Sequence, residues 1–288
     1  MRQDVLPIIL GTSEGAYALA HAFYHDYGII PLVLDDRPSP LFSASLCAYF
    51  VESKSIRKKD ILYRTLDDIH SKKQGKSLIL IPSDKEFLSF VLEREESLSK
   101  MFLLPHLPSP SSCDLPKEPS ALALLYRTGK GDIRTVFARV FSLMPNGSVG
   151  ALLTENIPSL IEERIKKEAE VLSRGIYLFY VDAEGVLYRD DAVLSPLLAF
   201  SSAKDASLPE WILEETVLCN PLNETSTRLF AFFSLFPYRK SRRFLSREKR
   251  KQLRGIEKCT LYGFKTEGVR KDIARVFKLL YHSYVNVE

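Results

Sequence analysis

The sequence predicts an α/β protein that begins with an open, mostly parallel sheet, continues into a smaller α+β part and ends in a helical, basic extension. Over residues 1–105, short apolar runs alternate with helix-like segments, which is the pattern of an open parallel sheet. Beyond a proline-rich junction, the apolar runs are separated by hairpin-type turns. In the last third of the chain the apolar spacing is helical.

The first β-α-β unit is predicted at residues 5–36. Residues 5–10 form a continuous apolar run, as in a buried parallel strand. A turn at residues 11–15 leads into a helix with small residues on its packing face, which is expected to stop at Gly28. A second apolar strand then ends at Asp35 and Asp36, which completes the unit.

The pattern recurs at residues 77–100. Residues 77–81 read as a strand, and Pro82-Ser83-Asp84 form a short loop. Ser83 with Glu86 predicts a capping box at the start of a helix that runs to about Lys100.

The chain changes character at residues 107–119, where four prolines and three serines in thirteen residues mark a boundary. The elements expected beyond it are strands at 121–126 and 133–144, a helix at 158–173, a hairpin at 176–188 and an amphipathic helix at 269–280. The predicted division is an α/β domain at 1–106, a linker at 107–120, an α+β half-domain at 121–200 and a helical basic extension at 201–288.

Composition limits the class of protein. A hydrophobic content of 45% and a charged content of 26% are ordinary for a chain that buries a core, and the net charge of +4 does not by itself call for a polyanionic partner. The four cysteines form no Cys-x-x-Cys pair and are interpreted as reduced thiols. The opening apolar run is too short for a signal segment or a membrane span, so a cytoplasmic location is expected.

Three segments together resemble the ATP-grasp superfamily, nearest to its D-aspartate-ligase-like carboxylate–amine ligases. Residues 7–35 resemble the opening β-α-β of the Rossmann-like pre-ATP-grasp domain, and residues 78–100 resemble its strand, Pro-polar-Asp loop and helix. Residues 127–188 are similar to the second half of the grasp domain, with its hairpins and intervening helix. The basic tail at 235–281 is similar to the C-terminal extension of that branch.

The sequence departs from the family pattern in the parts that bind the nucleotide and its metal ion. In the family, a nucleotide-binding half lies between the junction and the first hairpin, whereas here residues 107–120 leave no room for it. The closing hairpin of the family carries two acidic metal ligands, the second in a Glu-x-Asn motif. Here Asp190 or Asp191 takes the place of the Glu, Ala192 or Val193 replaces the Asn, and the other carboxylate position falls near Leu178.

The resemblance and its departures imply a degenerate ATP-grasp protein without ligase activity and without catalytic residues, which acts as a binding or regulatory partner, for example of a full-length ligase. The alternative is a reduced but active ATP-dependent carboxylate–amine ligase. In that case ATP and Mg²⁺ would be its cofactors, with Asp190 and Asp191 as metal ligands.

Two loops of the first domain form a candidate pocket. Gly11, Thr12 and Ser13 open a helix after a strand, and Ser83 and Asp84 follow another strand. Because ligands bind outside the carboxyl ends of parallel strands, these residues predict a pocket for an anion or substrate. The alternative is a purely structural role as turn and cap. The spacing is not Gly-x-Gly-x-x-Gly, which argues against a dinucleotide.

Two further sets of charged residues have open interpretations. His21 and His25 are spaced i, i+4 and are predicted as a surface pair on the first helix. Residues 239–258 hold ten Lys or Arg and two Glu. This segment is either a solvated face, a contact for an anionic membrane surface, or a contact for a protein partner; no specific nucleic acid is expected.

Overall fold

The computed structural model describes residues 4–37, 39–43, 45–105, 116–128, 131–143, 149–190, 208–213, 216, 230–233, 246–254 and 257–260. The first part, up to residue 105, alternates strands with helices. Its elements are β1 (Val5–Leu10), α1 (Glu14–Tyr27), β2 (Leu32–Asp35), α2 (Pro40–Ser43), β3 (Tyr49–Glu52), α3 (Lys59–Lys72), β4 (Ser77–Pro82), α4 (Lys85–Glu93) and α5 (Glu95–Leu98).

The strands of this part form a parallel sheet in the order β3-β2-β1-β4, which confirms the predicted open parallel sheet. The strands β1 and β4 are almost wholly apolar and are buried on both faces, as is usual where helices cover a parallel sheet on both sides. The sequence pattern predicts no element between Asp36 and Ser77, where the structure has α2, β3 and α3. The strand β3 lies at an edge of the sheet and exposes Tyr49 and Val51, so its sequence lacks the apolar run of a buried strand.

Helix α1 ends where the sequence predicts, but it begins at Glu14, within the residues predicted as a turn. The side chain of Ser13 accepts a hydrogen bond from the backbone N–H of Ala16, and Gly28 ends the helix in the left-handed conformation at φ 65°. The prediction of a surface histidine pair was wrong for His21, which is buried near Tyr17 at a distance of 6.2 Å between ring centroids. The side chain of His25 lies outside the described residues.

The second part is built on a mostly antiparallel sheet in the order β11-β10-β7-β6-β5-β8-β9, in which only β10 and β11 pair in parallel. Its elements are β5 (Ala121–Arg127), β6 (Ile133–Leu143), β7 (Val149–Thr154), α6 (Ser159–Val171), β8 (Gly175–Val181), β9 (Leu187–Arg189), α7 (Leu208–Leu213), β10 (Phe230–Phe233), α8 (Arg247–Gln252) and β11 (Glu257–Thr260).

The strands β10 and β11 were not predicted, because the region beyond residue 200 was interpreted as helical. The amphipathic helix expected at 269–280 lies outside the described residues. Within the described residues, each helix is too short or too polar to cross a lipid bilayer.

Both faces of the second sheet are covered. Helix α6 packs on one face, where Ile165 and Ala169 join an apolar cluster with residues of β5, β6 and β8. The other face belongs to a larger cluster that also contains α1, α7 and part of the parallel sheet. Trp211 of α7 is stacked on Tyr126 of β5, with ring centroids 5.2 Å apart. The two sheets therefore share one apolar core.

Candidate functional site

The carboxyl ends of three parallel strands bring the predicted pocket residues together. The backbone N–H of Gly11 donates to the carbonyl oxygen of Leu34, and the N–H of Ser83 donates to that of Leu10, each over 2.8 Å. The loop after β1, the acidic end of β2 and the loop after β4 therefore meet at one edge. Gly11, Thr12, Ser13, Ser83 and Asp84 all lie there, as expected from the topology of an open α/β sheet. Whether they bind a ligand stays a prediction.

Gly11 has a backbone conformation that only glycine adopts easily, with φ at +101°. A Cβ atom at this position would lie 2.4 Å from the hydroxyl of Ser83 and 3.2 Å from a carboxylate oxygen of Asp84. The loop after β1 and the loop after β4 consequently touch at Gly11 without an intervening side chain.

The caps at this edge differ from the predicted capping box. Asp84, and not Ser83, begins α4, and its Oδ1 accepts a hydrogen bond of 3.0 Å from the N–H of Phe87. The hydroxyl of Ser83 is buried and has no hydrogen-bond partner among the described residues. The Oγ of Ser13 caps α1 and lies 3.5 Å from the carbonyl oxygen of Ser83.

Asp35 fixes the loop after β1. Its Oδ2 accepts hydrogen bonds from the backbone N–H and the hydroxyl of Thr12, at 3.0 and 2.7 Å. Its Oδ1 accepts from the N–H of Asp36 at 2.9 Å. The side chain of Asp35 is only 1% exposed, so both oxygens need these donors.

Arg57, which sequence reasoning missed, joins four acidic groups of this edge. Its guanidinium donates to Asp35, Asp36, Asp84 and Glu86 over 2.7 to 3.1 Å. It also lies 4.5 Å above the ring of Phe87. Burial opposes the charge of Arg57, but the hydrogen bonds to Glu86 and Asp84 and the charges of Asp84 and Asp35 outweigh burial and raise its pKa further above its ordinary value. We call these five charged groups the Arg57 cluster.

The predicted metal ligand Asp190 lies on the edge of the second sheet. Asp190 follows β9 and is buried, and its backbone N–H donates to the carbonyl oxygen of Leu178 at 2.7 Å. Asp191 lies outside the described residues. Because Phe179 pairs with Arg189, Leu178 stands directly opposite Asp190, and the two side chains lie on the same face of the sheet.

The residue opposite Asp190 is apolar. Leu178 is buried within the large apolar cluster that also contains Leu124 and Trp211. Burial and the nearby charge of Asp190 raise the pKa of Tyr180 above its ordinary value. Leu178, and not a second carboxylate, therefore stands opposite Asp190. More widely, the described part of the chain contains no group of three or more His, Cys, Asp or Glu side chains suited to a metal ion.

Asp182 stabilises the turn between β8 and β9. Its Oδ1 accepts hydrogen bonds from the backbone N–H groups of Glu184 and Val186, at 2.9 and 2.8 Å, and its Oδ2 accepts from the hydroxyl of Tyr188. The bond from Val186, followed by those from Tyr188 and Glu184, lowers the pKa of Asp182. This carboxylate is consequently committed to the hairpin between β8 and β9.

Comparison with solved structures identifies the architecture. The chain is similar to N5-carboxyaminoimidazole synthetase from Staphylococcus aureus, with a TM-score of 0.50 and 10% identity over 80% of this chain and 82% of that one. It is similar to an ADP complex of the N5-carboxyaminoimidazole ribonucleotide synthetase PurK, with a TM-score of 0.51 and 12% identity over 98% and 97%. It is also similar to biotin carboxylase from Campylobacter jejuni, with a TM-score of 0.50 and 8% identity over 78% and 74%.

No family model matches the sequence, and no curated protein sequence matches it significantly. At identities this low, the likeness concerns the fold. The similar proteins all have the ATP-grasp fold, and the parallel sheet followed by a larger antiparallel sheet is common to them and to this chain. The chain therefore has the fold of the ATP-grasp superfamily, as the resemblance of its sequence implied.

Proposed function

We propose that this chain is a degenerate ATP-grasp protein without ligase activity that acts as a binding or regulatory partner. The observation that carries this proposal is the position of Leu178 opposite Asp190. Formation of an acyl-phosphate from ATP needs Mg²⁺ between the β- and γ-phosphates, and cations that neutralise the charge of the transferring group. One carboxylate facing an apolar side chain supplies only part of such a site.

The length of the junction supports the same proposal. Only residues 106–120 separate the end of the parallel part from β5, the first strand of the second sheet. Fifteen residues are too few for a folded nucleotide-binding half with its own core. The phosphate-binding lysines that this half supplies in the family then have no counterpart at the corresponding place in the chain.

A binding role is supported by the edge of the parallel sheet, where Gly11, Thr12, Ser13, Ser83 and Asp84 meet. The Arg57 cluster holds four carboxylates and one guanidinium, so its formal charge is negative. A negative edge favours a ligand with an amino group over an anion. The hydroxyl of Ser83 lies at this edge, is buried and forms no hydrogen bond with the described residues, so it can bond to a ligand. We therefore infer that an amino compound binds this edge.

The test of the lost activity is calorimetry with ATP and Mg²⁺, together with an assay of phosphate release in the presence of amino acids and carboxylic acids. We expect neither binding at millimolar ATP nor acid-dependent release of phosphate. A full-length ATP-grasp ligase assayed in parallel shows that the conditions support turnover. Tight, Mg²⁺-dependent binding of ATP with acid-dependent phosphate release would overturn the proposal.

A second candidate function, a reduced but active carboxylate–amine ligase, is favoured by one observation. Asp190 is an acidic residue in a buried position of the closing hairpin. Burial of a carboxylate costs free energy unless a cation or hydrogen-bond donors stabilise it, and a metal ion would do so. If the chain does turn over ATP, the variant Asp190→Asn should abolish that activity. An unchanged rate would show that Asp190 does not hold the metal.

The binding role has its own experiment. Amines, amino acids and simple carboxylic acids are added separately while thermal unfolding is followed. A ligand at about one hundred times its Kd stabilises the folded state by about 2.7 kcal/mol. We expect amino compounds to raise Tm and carboxylic acids without an amino group to leave it unchanged. Ser83→Ala should weaken the rise in Tm. The matched control is Ser71→Ala at an exposed site, which should leave the rise unchanged.

A further inference from the structure

Helix α8 divides its side chains between the protein and the solvent. Leu253, directly after the helix, is 1% exposed, and Lys249 donates from Nζ to the carbonyl oxygen of Phe141 at 2.6 Å. The Nζ of Lys249 also lies 5.4 Å from the centroid of the Phe141 ring. These two residues are four apart and share one face of the helix, so this face is fixed on β6.

The remaining cations of α8 share a different face. Arg247, Arg250 and Lys251 are spaced i, i+3 and i+4, which places them within about 100° of the helix circumference, and Arg254 lies in the turn directly after the helix. All four side chains are exposed, and none forms an ion pair with a carboxylate among the described residues. Three exposed cations of α8 and Arg254 of the following turn therefore face solvent.

Helix α8 and the turn after it carry a high positive charge. Residues 246–254 contain five cations and one carboxylate, Glu248, and so carry a formal charge of +4.

We propose that this face of α8 binds the surface of an anionic lipid bilayer. The cations stand on a convex helix and diverge, which suits a flat layer of many headgroups better than one phosphate held by converging donors. Residues 246–254 include no aromatic side chain on which the bases of a single-stranded nucleic acid would stack. A bilayer requires only charge and exposure, and both are present.

The experiment measures binding of the full-length chain to sedimented vesicles. One set consists of phosphatidylcholine alone, and the other contains about a third phosphatidylserine. We expect binding to the anionic vesicles only, and a steep fall of this binding as salt shortens the range of electrostatic attraction. Each cation contributes about fivefold to the affinity, so neutralising all four with Arg247→Gln, Arg250→Gln, Lys251→Gln and Arg254→Gln should weaken binding by more than about a hundredfold.

The matched control removes the same charge elsewhere. Lys72, Lys73, Lys76 and Lys100 are exposed in the first part of the chain, and their change to Gln should leave vesicle binding within about fivefold of the parent. Glu248→Gln removes a negative charge from α8 without changing the residues that contact β6, and it should strengthen binding to anionic vesicles. This second variant tests the proposal even if the quadruple variant unfolds.

Three outcomes would overturn the proposal. They are equal binding to both kinds of vesicle, unchanged binding by the quadruple variant of α8, and an affinity for a mixed-sequence oligonucleotide that exceeds the affinity for anionic vesicles. The last outcome would assign the surface to nucleic acid.

Discussion

The backbone N–H of Asp190 donates a hydrogen bond to the carbonyl oxygen of Leu178 over 2.7 Å, and this pairing sets an acidic side chain against an apolar one on the same face of the sheet. The face continues into the core that the two sheets share. A pair of carboxylates here would create a metal site, whereas the pair actually present extends the core. The stability of variants at Leu178 distinguishes these two descriptions.

Leu178→Glu should destabilise the protein by at least about 3 kcal/mol, because the new carboxylate would be buried directly opposite the carboxylate of Asp190. Leu178→Met, which keeps the volume and polarity, should cost less than about 1.5 kcal/mol. Urea unfolding of both variants at neutral pH measures the difference. A Leu178→Glu variant that is as stable as the parent and gains stability with Mg²⁺ would show that this face is a cleft for a metal.

The sequence predicted the parallel sheet because β1 and β4 are apolar throughout, and a buried strand needs that pattern. It also predicted that Gly11 and Ser83 lie at the same edge of the sheet, since the carboxyl ends of parallel strands meet there. It did not predict Arg57, which lies in an irregular turn before α3 and carries no periodic signal. Arg57 is 22 residues from Asp35 and 27 from Asp84, so only the folded chain reveals their contact.

Arg57→Ala should reduce the free energy of unfolding by about 3–5 kcal/mol, because four carboxylates would lose their common cation. Arg57→Lys keeps the charge but not the planar array of donors, so it should recover only part of this loss. Lys72→Ala breaks an exposed pair with Asp68 and should cost at most about 1 kcal/mol. Chemical denaturation at neutral pH compares the three variants.

If Arg57→Ala unfolds like the parent, the Arg57 cluster does not stabilise the edge of the sheet.

Gly11→Ala should destabilise the protein for two reasons. The left-handed backbone costs about 1–2 kcal/mol for a residue with a Cβ, and the Cβ would also meet the hydroxyl of Ser83 at 2.4 Å. Gly75→Ala is the matched control, since Gly75 has φ +88° but no atom within 4 Å of the added Cβ. We expect Gly11→Ala to lose more stability than Gly75→Ala in thermal unfolding.

Removal of the Ser83 side chain by Ser83→Gly should restore the part of the Gly11→Ala loss that arises from contact, and a double-mutant cycle measures that part. Equal losses for Gly11→Ala and Gly75→Ala would show that the two loops separate at little cost.

Tyr180 should make the stability of the protein fall at alkaline pH. Burial and the charge of Asp190 raise its pKa in the folded state, whereas in the unfolded chain a tyrosine ionises near pH 10. Above about pH 10 the unfolded state therefore loses a proton that the folded state retains, and the free energy of unfolding decreases as pH rises. Tyr180→Phe should remove this contribution. Asp190→Asn should reduce but not abolish it, because burial remains the larger cause.

Urea unfolding at about pH 8 and about pH 11 compares the variants with the parent. The same decrease in the parent and in Tyr180→Phe would mean that Tyr180 ionises as freely in the folded protein as in the unfolded chain, contrary to its position beside Asp190.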